Sequence, residues 1–288
     1  MRLLSPAKIN LHLRVGKTGA DGFHPLMSWF CTVGMFDTIE MTRSDGREIS
    51  LDCDRPEVPR DETNLIVRAG RATSEESRAA RGAKIHLTKK IPIGGGLGGG
   101  SSNAATSLRG FNEIWDLRLT SSDMAQIATR LGSDVSFFLY GPSSVCTGRG
   151  EFVLPIDRPR ARWVVLVFPN ISMATPRVYR RFDEMNLGSA EAIEQQPIWK
   201  NWTGLRADEL LPLLVNDLEA PAFDLCPELG RLRENLEQSL GRIVRMSGSG
   251  STLFTLADEQ AQAERIADRI AGDSFTAKAV ELCPLTSA

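Results

Sequence analysis

A run of glycines is the feature of this sequence that most directly indicates chemistry. Residues 94–100 contain six glycines, interrupted by Leu97, and the polar segment 101–103 (Ser-Ser-Asn) follows at once. Glycine lets backbone N–H groups converge on an anion, although ordering it costs more entropy than ordering any other residue. A helical pattern begins directly after the run, and helix N-termini favour negative charge. The segment predicts a phosphate-binding loop. The alternative, a flexible linker, is disfavoured by Leu97 and the flanking apolar residues.

Two other nucleotide-binding patterns do not hold. The segment 16–18 (Gly-Lys-Thr) resembles the end of a Walker A loop, but the first glycine of that motif would fall at Leu11. The glycine run also matches the spacing of a dinucleotide fingerprint, which requires a buried strand before it and an acidic residue about 20 positions later. Here Pro92 precedes the run and a helical pattern continues through Trp115, so a Rossmann domain is disfavoured.

Polar residues near the N-terminus could act on a bound phosphate. Apolar and polar residues alternate from Lys8 to Val15, which is the period of a half-buried strand. This alternation places Lys8, Asn10 and His12 on one face and Leu13 on the opposite, apolar face. For Lys8 alone, the alternative is a solvated surface charge.

Asp134 stands at the start of a short apolar helical pattern over 135–140. A carboxylate in a site could act as a general base and take the proton from an acceptor hydroxyl. The alternative, which is favoured for an isolated aspartate, is a helix N-cap.

The elements that would position these residues form two groups. In the first half the patterns predict strands over 8–15, 29–40 and 84–88, and helices over 104–115, 121–131 and 135–140. In the second half they predict strands over 163–168, 243–246, 252–256 and 275–282, and helices over 175–185, 207–223, 227–240 and 259–270. The second order is ferredoxin-like with added helices, and prolines near residue 157 indicate a domain boundary.

The composition disfavours several classes of protein. The 34 basic and 36 acidic residues form no block of like charge, so neither a nucleic-acid nor a membrane partner is predicted. No apolar run approaches the roughly 18 residues that span a bilayer, and no leader is visible, so a soluble cytoplasmic protein is expected. The five cysteines and three histidines are scattered without metal-ligand spacing. Reduced, mostly buried thiols and no zinc site are therefore predicted.

Several motifs resemble those of the GHMP kinases, and they occur along the chain in the order expected for that family. The segment 92–105 resembles their phosphate loop, and its triple glycines are typical of the diphosphocytidyl-methylerythritol kinases among them. Segments 6–11, 21–26 and 131–135 resemble their first motif, their cytidine segment and the segment with their catalytic aspartate. Further similar segments, at 148–151, 175–176, 216–219 and 246–251, extend the resemblance over nearly the whole chain.

The sequence departs from these kinases in two places. Phe23 and Pro25 stand where the relatives have tyrosine and commonly threonine. The segment 186–205, with Trp199 and Trp202, matches none of their motifs.

The resemblance implies an α+β protein with the two-domain GHMP kinase fold. An N-terminal ribosomal-protein-like α/β domain would cover residues 1–157, and a C-terminal ferredoxin-like domain residues 158–288. The implied reaction is ATP-dependent phosphorylation of the 2-hydroxyl of a diphosphocytidyl-methylerythritol in the non-mevalonate isoprenoid pathway. Mg²⁺ would bridge phosphate oxygens. The partner would be a small-molecule cytidine diphosphate substrate, bound by a monomer or homodimer.

The resemblance also implies roles for individual residues. Asp134 would be the base, and Lys8 would hold it ionised and neutralise charge on the transferring phosphoryl group. Ser101 or Ser102 could contribute a magnesium ligand, since no carboxylate cage is visible. The implied substrate-binding residues are Asn10, Phe23, His24, Thr175 and Tyr179. The implied ATP-binding residues are Asn64, Leu65, Lys89, Pro92, Gly94, Gly95, Gly96, Leu97, Gly98, Gly99, Gly100, Ser101, Ser102 and Asn103.

Each of these assignments has a structural alternative. Asn64 could simply cap the helical pattern that follows it, and Lys89 could be a surface lysine. Phe23 could be a core residue and Tyr179 an exposed helix residue, whereas the resemblance implies that their rings sandwich the cytosine and that His24 fixes its edge.

Two other functions remain open on the same fold. The chain could be another GHMP kinase, acting on homoserine, mevalonate or a sugar, or a catalytically inactive GHMP-fold binding protein, because one fold supports many functions. Phe23, His24 and Tyr179 favour the cytidine substrate. The presence of both Lys8 and Asp134 disfavours the inactive protein.

Overall fold

The computed structural model describes residues 1–77, 81–272 and 275–285. Its elements form two groups, each built around one β-sheet. The strands of the first group are β1 (Arg2–Val15), β2 (Leu26–Ser44), β3 (Ile49–Cys53), β4 (Gly82–Thr88), β5 (Ser143–Gly148) and β6 (Phe152–Pro155). Its helices are α1 (Leu65–Glu76), α2 (Gly99–Ile114), α3 (Ser121–Leu131) and α4 (Phe137–Tyr140).

The second group begins after residue 162. Its strands are β7 (Trp163–Pro169), β8 (Arg245–Met246), β9 (Leu253–Ala257) and β10 (Phe275–Glu281). Its helices are α5 (Thr175–Glu184), α6 (Ala190–Glu194), α7 (Trp199–Thr203), α8 (Ala207–Leu210), α9 (Glu219–Leu225), α10 (Pro227–Leu240) and α11 (Gln260–Ile270), with a 3-10 turn at Leu211–Leu213.

The first sheet holds the glycine run in place through α2. The sheet has the order β3-β4-β2-β5-β6, with β1 paired to the long strand β2. The predicted apolar stripe of α2, at Ala104, Leu108, Phe111 and Trp115, is buried in the core between the sheet and its helices. The Phe111 and Trp115 rings stack with centroids 4.6 Å apart. This packing fixes the N-terminus of α2, where the glycine run ends.

The second sheet has the order β10-β7-β9-β8 and is antiparallel throughout. Helix α5 follows β7, and α11 connects β9 to β10. This is the predicted ferredoxin-like arrangement, and the predicted α+β fold is confirmed. The predicted domain boundary at residue 157 falls in the segment between β6 and β7; the division of the chain there stays a prediction.

The single helix predicted over 207–223 is wrong. The chain instead forms α8 and a 3-10 turn, becomes extended, and then begins α9 at Glu219. The extended part pairs with β1, because the Leu13 N–H donates to the Val215 carbonyl (2.8 Å) and the Asp217 N–H donates to the Leu13 carbonyl (3.0 Å). Backbone pairing with a strand distant in sequence therefore outweighs the local helical pattern.

The half-buried strand predicted over 8–15 is also wrong in detail. Both faces are largely buried, because Ile9 and Leu11 lie in one core with Leu166, and Leu13 and Val15 lie in another with Val165. The register with β2 shifts between Asn10 and His12, as in a β-bulge. Leu13 consequently lines the same cavity as Lys8 and Asn10, whereas His12 packs edge-on against Trp202 at 5.2 Å.

No helix in the described part of the chain combines the length and the apolar character needed to cross a bilayer.

Candidate active site

Lys8 and Asp134 meet although they are far apart in sequence. The Lys8 Nζ lies 3.3 Å from the Asp134 Oδ2, and the lysine side chain is 6% exposed against 34% for the aspartate. The alternative of a solvated surface charge is therefore wrong for Lys8. The N-cap alternative is wrong for Asp134, because α4 begins two residues later than predicted and its N-cap position is Ser136. Asp134 lies in the turn between α3 and α4.

Strand β1 positions the lysine through its neighbours. Lys8 donates to the Asn10 Oδ1 at 2.7 Å and lies 4.5 Å above the Phe30 ring centroid. The Asn10 Nδ2 donates to the Ser28 Oγ at 2.9 Å. The ammonium group is therefore held by Asn10 and Asp134 rather than free to rotate into solvent.

The glycine run lies against the middle of β1, at Lys8. Gly94, Gly96 and Gly98 adopt the left-handed conformation, which favours glycine. A Cβ on Gly98 would lie 3.0 Å from the Lys8 Cγ. The Lys8 N–H donates to the Leu97 carbonyl at 2.9 Å, and the Leu97 side chain is buried in the core. The run is therefore an anchored loop rather than a linker, and it leads directly into α2.

One side of this loop faces a cavity of about 390 Å³. Thirteen of the fourteen residues predicted to bind ATP line it: Asn64, Leu65, Lys89, Pro92, Gly94, Gly95, Gly96, Leu97, Gly98, Gly99, Gly100, Ser101 and Asn103. Ser102, the fourteenth, is buried away from the cavity and accepts a hydrogen bond from the Ser5 hydroxyl at 2.8 Å.

The rest of the wall contains residues that sequence reasoning missed, namely Glu57, Val58, Pro59, Thr63, Leu87 and Ile93. The segment 57–59 contains no motif that would have indicated a site.

Asn64 and Lys89 each have a structural partner at the cavity wall. Asn64 is the N-cap of α1, and its side chain accepts from the Ile66 N–H at 2.8 Å, so the capping alternative is confirmed. Lys89 is buried and paired with the fully buried Asp37, so the surface-lysine alternative is wrong. Asp37 also accepts from the backbone N–H of Ile91 at 2.9 Å. The pair thus fixes the strand end that leads into the loop.

The other side of the loop faces a second cavity, of about 260 Å³. It brings together five of the seven residues predicted to act in catalysis or substrate binding: Lys8, Asn10, Asp134, Thr175 and Tyr179. Gly96 and Gly98 line both cavities. The two cavities therefore meet at the loop, with the Lys8–Asp134 pair on one side of it.

The segment predicted to bind cytidine lies beyond Tyr179. Neither Phe23 nor His24 is among the described residues that line the second cavity. The centroids of the His24 and Tyr179 rings nevertheless lie 5.0 Å apart. Phe23 is 52% exposed, and the guanidinium carbon of Arg149 lies 3.9 Å from its ring centroid. His24 Nδ1 is 2.9 Å from the Gly16 carbonyl. The core alternative for Phe23 is therefore wrong.

The structural alternative for Tyr179, an exposed helix residue, is wrong. Tyr179 is partly buried, and it packs against the core that α5 shares with β7. Burial, followed by the charge of Asp134, raises the pKa of Tyr179 to about 12. The phenol therefore stays protonated at neutral pH and can donate a hydrogen bond.

The cysteines are free thiols, and all but Cys226 are buried. Burial raises the pKa of the Cys146 thiol well above its usual range. Within residues 1–77, 81–272 and 275–285, no group of three or more histidine, cysteine or acidic side chains could hold a metal ion.

Two family models match the chain. The one described as GHMP kinases N terminal domain matches residues 64–142, and the one described as GHMP kinases C terminal matches residues 203–275. The 4-diphosphocytidyl-2-C-methyl-D-erythritol kinase of Bacillus subtilis (strain 168) is 35% identical over 280 residues, which cover 94% of each chain. The kinase of that name from Shouchella clausii (strain KSM-K16) is 35% identical over 98% of this chain and 96% of the relative.

Solved structures agree with these matches. A crystal structure of 4-(cytidine 5'-diphospho)-2C-methyl-D-erythritol kinase superposes with a TM-score of 0.79 at 32% identity, over 99% of this chain and 100% of that one. A homoserine kinase from Cytophaga hutchinsonii has a TM-score of 0.71 at 18% identity, over 98% of this chain and 94% of that one, and shares the fold alone. The chain therefore belongs to the GHMP kinases and, among them, to the 4-diphosphocytidyl-2-C-methyl-D-erythritol kinase family.

Proposed function

We propose that this protein transfers the γ-phosphoryl group of ATP to the 2-hydroxyl of 4-diphosphocytidyl-2-C-methyl-D-erythritol. The names of its relatives at 35% identity support this substrate. The observation that carries the proposal is the meeting of two cavities at Gly96 and Gly98, with Lys8 and Asp134 in the smaller one. This is the arrangement that a direct transfer between a nucleotide and an alcohol requires, because the donor phosphate and the acceptor oxygen must approach each other in line.

The proposed mechanism assigns one task to each side chain. The nucleotide occupies the larger cavity, with its phosphates against the backbone of the glycine loop and the N-terminus of α2. Asp134 accepts the proton of the acceptor hydroxyl while the oxygen of that hydroxyl bonds to the γ-phosphorus. The bond between the γ-phosphorus and the departing oxygen of ADP breaks in the same step. Lys8 offsets the negative charge on the transferring group, at a position where it is buried and therefore weakly screened.

We also propose a Mg²⁺ ion with the nucleotide. Such an ion takes most of its ligands from phosphate oxygens and water and needs only one or two from protein, and when bound it neutralises charge on the phosphates. Ser101 lines the nucleotide cavity and offers a hydroxyl oxygen of this kind, whereas the Ser102 hydroxyl is occupied by Ser5. Of the two serines, Ser101 is therefore the better candidate ligand. We further propose a cytoplasmic location, where ATP is available.

A turnover assay tests this function. The purified protein would be given ATP, Mg²⁺ and, in parallel reactions, the cytidine diphosphate alcohol, homoserine, mevalonate and a hexose. We expect phosphorylated product from the first acceptor alone, located at its 2-hydroxyl by phosphorus NMR. Preferential turnover of another acceptor would replace the substrate while keeping the kinase, and turnover of none would favour a binding protein.

A further inference from the structure

We propose that Asn216 is a positioning residue for phosphoryl transfer, which holds the turn 246–251 against the strand that carries Lys8 and Asn10. This proposal rests on the proposed function. It concerns the segment 216–219 (Asn-Asp-Leu-Glu), whose residues have no task in the mechanism above.

The Asn216 side chain spans two parts of the chain. It is 5% exposed. Its Nδ2 donates to the carbonyls of Met246 and Gly248, both at 2.8 Å, and its Oδ1 accepts from the Leu218 N–H at 3.0 Å. Both hydrogens of the side-chain amide therefore donate to backbone carbonyls of the turn 246–251. Leu13 of β1 pairs with the backbone on either side of Asn216, so the turn is fastened to β1 through this residue.

The opposite face of the turn touches Asn10. The Asn10 N–H donates to the Ser247 Oγ at 3.1 Å. Gly248 has a φ of +56°, and a Cβ at this position would lie 3.0 Å from the Asn10 Oδ1, the atom that receives the hydrogen bond from Lys8. The position of the turn therefore limits where Asn10, and through it the Lys8 ammonium group, can lie.

The same turn forms part of the wall of the second cavity, of about 260 Å³, which the proposed function makes the acceptor cavity. Gly248 and Ser249 line it, and the Ser249 hydroxyl lies 2.8 Å from the hydroxyl of Thr175, another lining residue. A shift of the turn would move these groups together. Misplacement of reacting groups by about 1 Å can cost on the order of 10²-fold in rate.

The glycine loop is held by hydrogen bonds that do not involve Asn216. The Lys8 N–H bonds to the Leu97 carbonyl at 2.9 Å, and the Thr252 hydroxyl donates to the Gly95 carbonyl at 2.6 Å. Loss of the Asn216 contacts should therefore leave ATP bound while the acceptor is held poorly. Water would then compete better for the γ-phosphoryl group, and the ratio of acceptor phosphorylation to ATP hydrolysis would fall.

The test compares Asn216→Asp with Asp217→Asn in the full chain. Asn216→Asp keeps the acceptor for the Leu218 N–H and places a carboxylate oxygen against two carbonyls in place of the amide donor. Asp217 instead bonds to Arg14 and the Val15 N–H of β1, at 2.9 Å each, so the matched exchange at 217 leaves the turn contacts intact. Acceptor phosphorylation, ATP hydrolysis and ATP affinity would be measured for both variants and wild type.

We expect kcat for acceptor phosphorylation to fall about 10- to 100-fold in Asn216→Asp, with ATP affinity changed less than about twofold. The ratio of acceptor phosphorylation to ATP hydrolysis should fall in Asn216→Asp. The same ratio in Asp217→Asn should match that of wild type. The ratio does not depend on how much of the protein is folded, so a merely structural role would leave it unchanged. A wild-type ratio in Asn216→Asp, or an equal fall in both variants, would overturn the proposal.

If Asn216→Asp does not fold, Ser247→Ala supplies the test, because it removes the bond from Asn10 and leaves Asn216 in place. Its ratio should fall about 2- to 10-fold, as expected for one hydrogen bond, and an unchanged ratio would contradict the proposal. Failure of the proposed function is distinguishable, since wild type itself would then phosphorylate no acceptor and the inference about Asn216 would fall with it.

Discussion

At the scale of single residues, Asp134 is the group whose chemistry is easiest to isolate. Its carboxylate is paired with Lys8, and the cap of the following helix is Ser136, so replacing it should not disturb α4. We predict that Asp134→Asn lowers kcat by about 10²- to 10⁴-fold, because the amide cannot accept the proton of the alcohol. Steady-state kinetics would measure this loss, and calorimetry should show unchanged ATP binding.

Asp116→Asn is a matched control for this variant. The Asp116 side chain is 84% exposed, and its φ of +49° suits asparagine equally well. We expect wild-type turnover from it. Near-normal turnover from a well-folded Asp134→Asn protein would exclude the general-base role.

Phe23 and Tyr179 test the cytidine part of the proposal. Phe23 presents an exposed ring outside the acceptor cavity, and Tyr179 lies at the cavity wall. Stacking on a base is worth roughly 1–3 kcal/mol, or about 5- to 150-fold in affinity. We predict that Phe23→Ala and Tyr179→Ala each weaken cytidine diphosphate binding by such a factor and leave ATP affinity nearly unchanged. Isothermal titration calorimetry with each ligand would measure both.

Two controls separate stacking from other effects. Tyr179→Phe keeps the ring and should bind cytidine diphosphate almost as wild type does. Tyr140→Ala removes another ring, which is 43% exposed and lines neither cavity, and it should leave the affinity for cytidine diphosphate unchanged. Equal affinities in wild type, Phe23→Ala and Tyr179→Ala would remove the cytosine site and favour another GHMP kinase activity.

At the scale of elements, the junction between the glycine loop and α2 determines nucleotide binding. A side chain on Gly98 would meet the Lys8 stem at 3.0 Å in the left-handed conformation, and one on Gly99 would meet Ile91 and Lys89 at 3.1 Å. We predict that Gly98→Val or Gly99→Val abolishes ATP binding, because a branched residue cannot adopt the required backbone or fills the anion site. Nucleotide titration by fluorescence or calorimetry would measure this.

Gly100→Ala is the control within the same run. A Cβ at Gly100 meets only the Leu65 Cδ1, at 3.7 Å, and alanine is favoured in a helix by roughly 0.5–1 kcal/mol. This variant should bind ATP and unfold at the same or a higher temperature. Retained ATP affinity in Gly98→Val would show that the loop is not the phosphate site.

At the scale of the whole molecule, His12 links the strand of the active site to the segment 186–205, through Trp199 and Trp202. Its Nδ1 accepts from the Val215 N–H at 3.1 Å. Burial, followed by the positive charges of Arg14 and Arg245, lowers the pKa of His12 to about 3. Between about pH 6.5 and pH 3 the unfolded chain therefore binds a proton that the folded protein does not.

This difference makes the stability of the protein depend on pH. The contribution of His12 is fully present above about pH 6.5 and is lost as the pH falls, at about 1.4 kcal/mol per pH unit. We predict that, between about pH 7.5 and pH 5, the unfolding free energy of wild type falls by about 2 kcal/mol more than that of His12→Asn. Urea unfolding at the two pH values would measure both.

Burial raises the pKa values of Asp217 and Glu219. These two shifts make the unfolding free energy fall as the pH rises, which is opposite to the effect of His12. They are present in both proteins and cancel in the comparison. Equal pH slopes for wild type and His12→Asn would show that the imidazole takes up its proton in the folded state as readily as in the unfolded one.

The amino-acid sequence by itself determined the local elements and the chemical character of the loop. The stripe at Ala104, Leu108 and Phe111 predicted α2, and the glycine run before it predicted an anion site, because periodicity and backbone freedom depend on neighbouring residues alone. The succession strand–helix–strand–strand–helix–strand in the second half indicated the ferredoxin-like sheet, because this order of elements is typical of that motif. The ordered motifs identified the family.

The tertiary structure alone decided what depends on residues distant in the chain. Pairing with Leu13 keeps the backbone at Val215 extended, where the local pattern predicted a helix. Ser102, polar and next to the loop, is turned inward by Ser5. Likewise, nothing in the spacing of Lys8 and Asp134 shows that they meet; the packing of the sheet against its helices brings them within 3.3 Å. Such contacts arise from packing and hydrogen bonding between distant segments, which local sequence patterns do not contain.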